Sequence, residues 1–196
     1  MQKHRIFIAV NFSENIKKKL AGYKEKYPAL PCRWTKAENL HISMAFIGQT
    51  SDEGLAETCE VIKKVAEKHQ PFLVGINKIC YGPKDSSVYA EENKPPRMVW
   101  AIGEESKEFS AIRKDLNDFL LGSEEIRFST DDKEFSPHIT LARIRAWEWA
   151  KIDPEERPQI NEDADINFSV DSIEVMESQL KRGGSEYEII ESAGLG

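Results

Sequence analysis

The stretch FSPHITLAR, at positions 135–143, has a close echo earlier in the chain, NLHISMAF at 39–46. Both copies contain a histidine followed two positions later by a hydroxyl residue. Because residues i and i+2 of a strand lie on the same face, each copy predicts a strand with one apolar face and one face made of His, hydroxyl and alanine. The residues of this second face are His41, Ser43 and Ala45 in the first copy and His138, Thr140 and Ala142 in the second.

The rest of the chain mixes strands and helices without a regular strand–helix–strand repeat. Alternating apolar patterns predict further strands, and spacings of three and four predict three helices. A polar segment at 147–165 is interpreted as an insertion, and the last strands are predicted to form a hairpin, 166–180 with 185–192. This order predicts an α+β fold with largely antiparallel sheets. The predicted strands are 5–12, 71–83 and 97–103, and the predicted helices are 13–27, 52–69 and 104–122.

Composition limits the classes of function. The chain has 196 residues, 40% of them hydrophobic, with no apolar run long enough to cross a membrane and no signal peptide pattern. We therefore expect a cytoplasmic protein with no membrane partner. The three cysteines lack any C-x-x-C spacing, which indicates neither a disulfide framework nor a zinc site.

The net charge is −7 and the sequence pI is about 5.3. An acidic protein binds long nucleic acid poorly, because phosphate neutralisation supplies most of that affinity. A site for one phosphate or one nucleic-acid end stays possible if positive charge is concentrated locally.

Two histidines facing one cleft suit three uses. A single histidine on a strand is most often a hydrogen-bonded structural residue, but two matched copies favour a shared site. Metal binding fits poorly because no Asp or Glu shares either histidine face, so no metal and no cofactor are predicted. Acid–base chemistry fits better: one imidazole can be charged while the other is neutral. With hydroxyls and arginines alongside, this set suits displacement at phosphorus.

The sequence resembles the 2H phosphoesterase superfamily, which is named for two H-x-[ST]-x motifs. Within it, the chain is most similar to the RNA 2′,3′-cyclic phosphodiesterase family, also called 2′–5′ RNA ligases. The resemblance extends over nearly the whole chain through RIFIAV, RWTKAENLHISMAFIG, RMVWAIG, FSPHITLAR and ESQLKRGGSEYEII. It implies a bilobal α+β fold in which two antiparallel sheets face a central cleft, with helices on the outside. We expect 1–196 to form a single two-lobed domain with pseudo-two-fold halves.

The resemblance also implies a reaction and a role for each residue. The reaction is hydrolysis of RNA 2′,3′-cyclic phosphate ends to a 2′-phosphate, with reverse 2′–5′ ligation as a second direction. His41 would be the proton donor and His138 the proton acceptor. Ser43 and Thr140 would hold phosphate oxygens, and Arg143 would contact the phosphate. Ser43 departs from the usual threonine but keeps the hydroxyl.

Other residues and functions stay open. Phe7 lies on one face of the first strand and either stacks on a base or belongs to the core. The implied partners are RNA ends with a cyclic phosphate, tRNA fragments among them, with no obligatory protein partner. The same motifs would also serve a phosphodiesterase for 2′–5′ oligoadenylate or small cyclic nucleotides, or a non-catalytic RNA-end binding module. Further candidates for packing or local charge are Trp34, Trp100, Trp147, Trp149, Arg5, Arg33, Arg97 and Arg145.

Overall fold

A computed structural model describes residues 3–83, 95–104, 106–130, 135–182 and 184–196. Within these ranges the strands are β1 (His4–Val10), β2 (Cys32–Trp34), β3 (Ile42–Thr50), β4 (Phe72–Gly82), β5 (Met98–Gly103), β6 (His138–Ile144), β7 (Asn161–Val170), β8 (Ser172–Lys181) and β9 (Gly184–Gly194). The helices are α1 (Glu14–Ala21), α2 (Tyr23–Lys26), α3 (Asp52–Ala66), α4 (Lys107–Leu121) and α5 (Ala146–Trp149), and short 3-10 turns occupy Ala37–Asn39 and Pro154–Glu156.

The strands form an antiparallel sheet in the order β7-β4-β5-β6-β3-β1-β8-β9, with β2 paired to β6. We call β3, β1, β8 and β9 the first sheet half, and β6, β5, β4 and β7 the second. In the described strands a single pair, Ile42 with Ile139, links β3 to β6 and so joins the halves. The α+β class and the antiparallel pairing are confirmed. The two expected sheets are joined into one because their motif strands meet edge to edge, which covers edges that would otherwise be exposed.

The strand orders of the two halves correspond. In each half the histidine-bearing strand pairs with a strand that precedes it in the chain, β1 for β3 and β5 for β6. Two further strands complete each half, β8 and β9 in the first and β4 and β7 in the second. The single domain with pseudo-two-fold halves stays a prediction, and this correspondence supports it.

One face of the sheet packs on the two long helices. Ser51 caps α3, accepting a hydrogen bond from the Gly54 N–H at 3.2 Å, and Ser106 caps α4 in the same way from Phe109 at 3.2 Å. The apolar stripe of α4 is fully buried: Phe109, Ile112, Leu116 and Leu120. The opposite face of the sheet carries a smaller cluster of Phe7, Ala9 and Met176. This second face is the one that bears the motif histidines.

The end of the chain differs from the sequence prediction. The segment 166–180, expected as one strand, divides at Asp171 into the end of β7 and most of β8. β7 pairs with β4 and β8 pairs with β1, so these consecutive strands lie at opposite sides of the sheet. β7 also begins at Asn161, inside the expected insertion at 147–165. The apolar alternation changes phase here, from Ile166, Phe168 and Val170 to Ile173 and Val175. The prediction was wrong because it treated this change of phase as part of one strand, and because local alternation does not reveal which strand each part pairs with.

Candidate active site

The neighbouring strands β3 and β6 carry the two motifs. The pair Ile42–Ile139 lies one residue from each histidine. Continued by one residue, this antiparallel register places His41 across from Thr140 and His138 across from Ser43. The sheet therefore brings both histidines and both hydroxyls together, as the sequence predicted.

A β-bulge follows the hydroxyl residue in both motif strands. In β3 the pairing with β1 passes from Ala9–Ser43 to Ile8–Ala45, which leaves Met44 as the extra residue. In β6 the pairing with β5 passes from Trp100–Thr140 to Val99–Ala142, which leaves Leu141 as the extra residue. A bulge shifts the alternation by one residue. The side chains after each bulge therefore change faces.

The bulges correct the predicted faces. Ala45 and Ala142 were expected beside the histidines, but both belong to the helix-covered core, with 6% and 0% of their surface exposed. An unbroken alternation would put Phe46 on the apolar face with Ile42 and Met44, but 70% of Phe46 is exposed and its ring lies 6.1 Å from that of Phe7. Phe46 and Arg143 occupy the same position in the two copies, five residues after the histidine. The shared bulge brings both onto the histidine face.

His41 is held on both sides of its ring. Its Nδ1 donates to the Asn39 carbonyl at 2.8 Å, and its Nε2 lies 3.0 Å from the Ser43 Oγ. The ring centroid is 4.9 Å from that of Phe7 and 5.3 Å from that of Tyr187. Burial among these groups lowers the pKa of His41 to about 4, and the charges of Lys17 and His138 act in the same direction. His41 is therefore neutral at pH 7 in the unliganded protein.

His138 has the same anchor in different surroundings. Its Nδ1 donates to the Ser136 carbonyl at 2.9 Å. Its ring stacks on the indole of Trp100, with centroids 3.9 Å apart and planes 27° from parallel. Burial lowers the pKa of His138 as well. Within the described ranges no protein group is hydrogen-bonded to the Nε2 of His138.

The two anchors fix the tautomer of both rings. Each histidine bonds the carbonyl of the residue two positions before it, Asn39 or Ser136. A carbonyl only accepts, so Nδ1 carries the hydrogen in the neutral ring and Nε2 is left as the base. Both imidazoles are thereby set to exchange protons through Nε2.

The 3-10 turn Ala37–Asn39 that aims His41 is tied to two other parts of the chain. Asn39 is only 8% exposed, and its side-chain amide donates a hydrogen bond to the Ser185 carbonyl in β9 at 2.8 Å. The buried Lys17 of α1 donates to the Glu38 carbonyl at 3.3 Å. The position of His41 therefore depends on α1 and on the β8–β9 hairpin. Local spacing in the sequence does not show these contacts, because they join residues that are far apart in the chain.

Positive charge gathers on this face despite the net charge of −7. Arg143 of β6 is exposed and lies opposite Arg33 of β2 in the strand register, so both extend from the same face. The Arg33 guanidinium lies against Gly184 at the start of β9. A Cβ at Gly184 would come within 1.5 Å of a guanidinium nitrogen, and its φ of +121° also favours glycine. The sequence analysis named Arg33 among the arginines able to supply local charge.

The remaining predicted residues have clear positions. Ser43 and Thr140 are half-buried on the histidine face, and the Thr140 hydroxyl lies 3.9 Å from the sulfur of Met98. Phe7 is 5% exposed beneath His41, and of the two interpretations of Phe7 this placement favours a core residue over a base-stacking one. The exposed aromatic at this point is Phe46. Its position five residues after the first histidine, equivalent to Arg143, was the signal that could have identified it.

The other two histidines are bonded to carboxylates. His4 Nδ1 lies 2.7 Å from Glu177 and its Nε2 lies 3.0 Å from Asp52. His69 Nε2 lies 3.0 Å from Asp115 of α4. His4 is only 9% exposed, because Glu177 of β8 and Asp52 at the start of α3 cover its ring.

Neither metal-ion clusters nor membrane-spanning helices are found in the described part of the chain. No three His, Cys, Asp or Glu side chains converge there in a way that could hold a metal ion. None of the helices described there has the length and apolarity to cross a membrane.

Comparison with known proteins gives relatives along the whole chain. A protein of Methanocaldococcus jannaschii named RNA 2′,3′-cyclic phosphodiesterase is 26% identical over 95% of this chain and 98% of its own length. Another of that name, from Thermus thermophilus, is 27% identical over 97% of this chain and 90% of its own. A third, from Geobacillus stearothermophilus, is 28% identical over 97% of this chain, which spans only 57% of that protein.

Solved structures share the fold. The protein TT0787 of Thermus thermophilus superimposes with a TM-score of 0.78 at 25% identity, covering 97% of each chain. E. coli LigT in complex with 3′-AMP superimposes with a TM-score of 0.77 at 18% identity, covering 99% of each chain. The family model of the 2′-5′ RNA ligase superfamily matches residues 12–182, which include both histidine motifs. The chain therefore belongs to the 2′-5′ RNA ligase superfamily.

Proposed function

We propose that this protein hydrolyses the 2′,3′-cyclic phosphate at RNA ends to a 2′-phosphate, using His41 and His138 as an acid–base pair. The observation that carries the proposal is the matched pair of histidines, each anchored through Nδ1 to the carbonyl two residues before it. Relatives named RNA 2′,3′-cyclic phosphodiesterase over most of the chain support the same reaction.

The chemistry needs one proton taken and one proton given. His138 Nε2 removes a proton from water as the water oxygen attacks phosphorus. The bond between phosphorus and the 3′ oxygen breaks, and His41 Nε2–H protonates that oxygen as it leaves. The 2′ oxygen keeps the phosphate. Each proton transfer of this kind contributes a factor of about 10²–10⁴ to the rate.

The surrounding groups fit a charged phosphate next to a base. The hydroxyls of Ser43 and Thr140 can donate to the non-bridging oxygens, and the Arg143 guanidinium can bind two of them at once. The exposed ring of Phe46 lies beside Phe7 on the first sheet half, where a base joined to the ribose can stack. This arrangement favours a nucleotide end over a free phosphate.

The electrostatics define when His41 can act as an acid. With a pKa of about 4 it carries little charge at pH 7. A phosphate anion in the cleft favours the charged imidazole and raises that pKa. The proton that reaches the leaving oxygen is therefore taken up together with the substrate.

The test is turnover of a nucleoside 2′,3′-cyclic phosphate and of an RNA oligonucleotide with the same end, in EDTA, with product regiochemistry read by phosphorus NMR. We expect a 2′-phosphate from wild type and losses of about 10²–10⁴ in His41→Ala and His138→Ala. His69→Ala is the matched control and should retain wild-type rates, since His69 pairs with Asp115 away from the cleft.

Other outcomes would redirect the assignment. Absence of turnover in wild type would contradict the proposal. Turnover of 2′–5′ linked oligonucleotides alone would indicate the alternative phosphodiesterase reaction. Formation of 2′–5′ linkages from a cyclic end and a 5′-hydroxyl would show that the same pair also runs in the ligase direction.

A further inference from the structure

Trp100 lies flat on His138, and the mechanism above gives it no part. The two ring centroids are 3.9 Å apart at an angle of 27°. Trp100 reaches this place from β5, where it pairs in register with Thr140 of the second motif. Ile102 of β5 pairs with His138 of β6, so Trp100 and His138 are diagonal neighbours on one face of the sheet.

The strand on the other side of β5 leaves room for the indole. β4 pairs with β5 in this region, with Gly82 opposite Met98. A Cβ at Gly82 would lie 2.2 Å from the Trp100 ring, too close for any larger residue to keep this geometry. The indole is therefore confined between the Gly82 backbone and the imidazole.

A further contact fixes the indole in its own plane. Its Nε1 donates to the sulfur of Met98 at 3.3 Å, and the same sulfur lies 3.9 Å from the Thr140 hydroxyl. Trp100 is thus held by Gly82 and Met98. These contacts turn one π face toward His138.

We infer that Trp100 is a positioning residue for His138: its π face holds the imidazole in plane and stabilises the imidazolium formed when Nε2 takes the proton of the attacking water. The physical basis is the attraction of a cation to the negative face of an indole, the strongest such surface among the side chains. This role in turnover rests on the proposed function. The effect on the charge of His138 can be measured without turnover.

Charged groups from the neighbouring strands also face this ring. Among the described residues they are His41 just before β3, Arg143 on β6 and Arg33 on β2. Between the two histidines the repulsion is direct, because the charge of His138 lowers the pKa of His41. On β5, Met98 and Trp100 are neutral, so the indole is the described side chain on this face that favours the cation.

The test is the titration of the His138 ring in the full-length, ¹⁵N-labelled protein without substrate, followed by NMR. In Trp100→Leu we expect the ratio of charged to neutral His138 at a given pH to fall about three- to tenfold, and in Trp100→Phe to fall less. Trp147→Leu is the matched control, because Trp147 is 64% exposed outside the stack; it should leave the ratio unchanged.

The opposite sign would overturn the inference. If Trp100 only excludes water, a smaller leucine admits water and the charged fraction of His138 rises. An unchanged ratio would overturn it as well. If Trp100→Leu does not fold, Gly82→Ala gives the same comparison, since its added methyl displaces the indole; the ratio must fall there too. Failure of the protein to hydrolyse cyclic phosphates would contradict the proposed function but leave this titration readable.

Discussion

His41 and His138 stand at equivalent positions in two copies of one strand design, yet they meet different surroundings. Both rings bond the carbonyl two residues before them, both are followed by a hydroxyl residue, and both strands bulge at the next residue. His41 lies among Phe7 and Tyr187, on a turn tied to the rest of the first half. His138 lies under one indole, with no protein group on its Nε2 in the described ranges.

The difference shows how a duplicated strand can perform two roles. The shared backbone hydrogen bonds set the same tautomer in both rings, so each ring presents Nε2 as its basic nitrogen. The neighbours then separate the two. A proton donor and a proton acceptor need opposite charge states, and these depend on burial, nearby charge and aromatic contact rather than on the motif itself.

The largest expected effect is the loss of kcat when either histidine is removed, and the choice of substrate shows which histidine supplies the proton. His41→Ala and His138→Ala should each lower kcat by about 10²–10⁴ on a cyclic phosphate. A phosphodiester with a p-nitrophenolate leaving group needs no proton on departure, so His41→Ala should recover most of its rate there and His138→Ala should not. Steady-state rates on both substrates check this. Recovery in His138→Ala instead would reverse the roles.

The next largest effect distinguishes the contributions of Arg143 and Phe46, the two residues that the bulges expose, to kcat/KM. Arg143→Ala should lower kcat/KM about 10- to 100-fold by removing charged hydrogen bonds to phosphate, with partial recovery in Arg143→Lys. Phe46→Ala should lower it about tenfold by removing a stacking surface. A ribose cyclic phosphate without a base distinguishes them: the Phe46 loss should vanish on it and the Arg143 loss should stay. Equal losses on both substrates would contradict the assignment of Phe46 to the base.

The pH dependence tests the charge states directly. Burial lowers the pKa of both histidines, so in the free enzyme the form with one proton is most populated below the ordinary imidazole value of about 6.5. On the alkaline side, kcat/KM should fall about tenfold per pH unit. The kcat profile should lie at higher pH, because bound phosphate favours the charged rings. Profiles that are flat from about pH 5 to 9 would exclude the pair as acid and base.

Stability should show opposite pH slopes for histidines inside and outside the site. Hydrogen bonds to Asp52 and Glu177 raise the pKa of His4, so its contribution is full below about 6.5 and is lost as pH rises through the folded value. The lowered pKa of His41 destabilises the fold as pH drops below about 6.5. The free energy of unfolding in urea checks this. The wild-type value should fall by about 1 kcal/mol toward high pH through His4, and His4→Gln should abolish that fall. It should also fall by about 2 kcal/mol between pH 8 and 5 through His41, and His41→Gln should abolish that second fall. If the unfolding free energy of both variants depends on pH as it does in wild type, this prediction is contradicted.

The smallest expected effect on kcat/KM comes from giving both motifs the same hydroxyl residue. Ser43→Thr and Thr140→Ser each keep the hydroxyl, so kcat/KM should stay within about twofold of wild type. Ser43→Ala is the comparison, and it should cost about tenfold by removing one hydrogen bond to the phosphate. The same steady-state assay reads all three variants. A large loss in Ser43→Thr would mean that the space beside Ala9 cannot accept the extra methyl.

Local alternation predicted much of this molecule. It predicted the motif strands, the buried face of β1 and the position of His41 and His138 beside their hydroxyls, because these depend on residues two apart. It failed one residue past each hydroxyl, where a bulge turns Ala45 into the core and Phe46 out of it. A bulge depends on how a strand pairs with its neighbour, and a single strand's pattern does not contain that information.

Contacts between distant strands account for the other differences. Nothing near Trp100 in the chain indicates that it stacks on His138, since their contact follows from the register of β5 with β6 and from the space left by Gly82. The carboxylates around His4 likewise come from α3 and β8. The paired histidines and hydroxyls were visible in the sequence, whereas the groups that surround them depend on long-range pairing.

The single pair that joins β3 to β6 in the described strands has a consequence for motion. Each half keeps its own continuous ladder, while the seam between the halves consists of Ile42 with Ile139. Opening that seam breaks few backbone hydrogen bonds, so the apolar core that both halves share, rather than the ladder, holds them together at this point. Amide hydrogen exchange should therefore be faster at the seam than within β1. The two imidazoles lie on opposite sides of this seam, so the packing of the shared core sets the spacing between them.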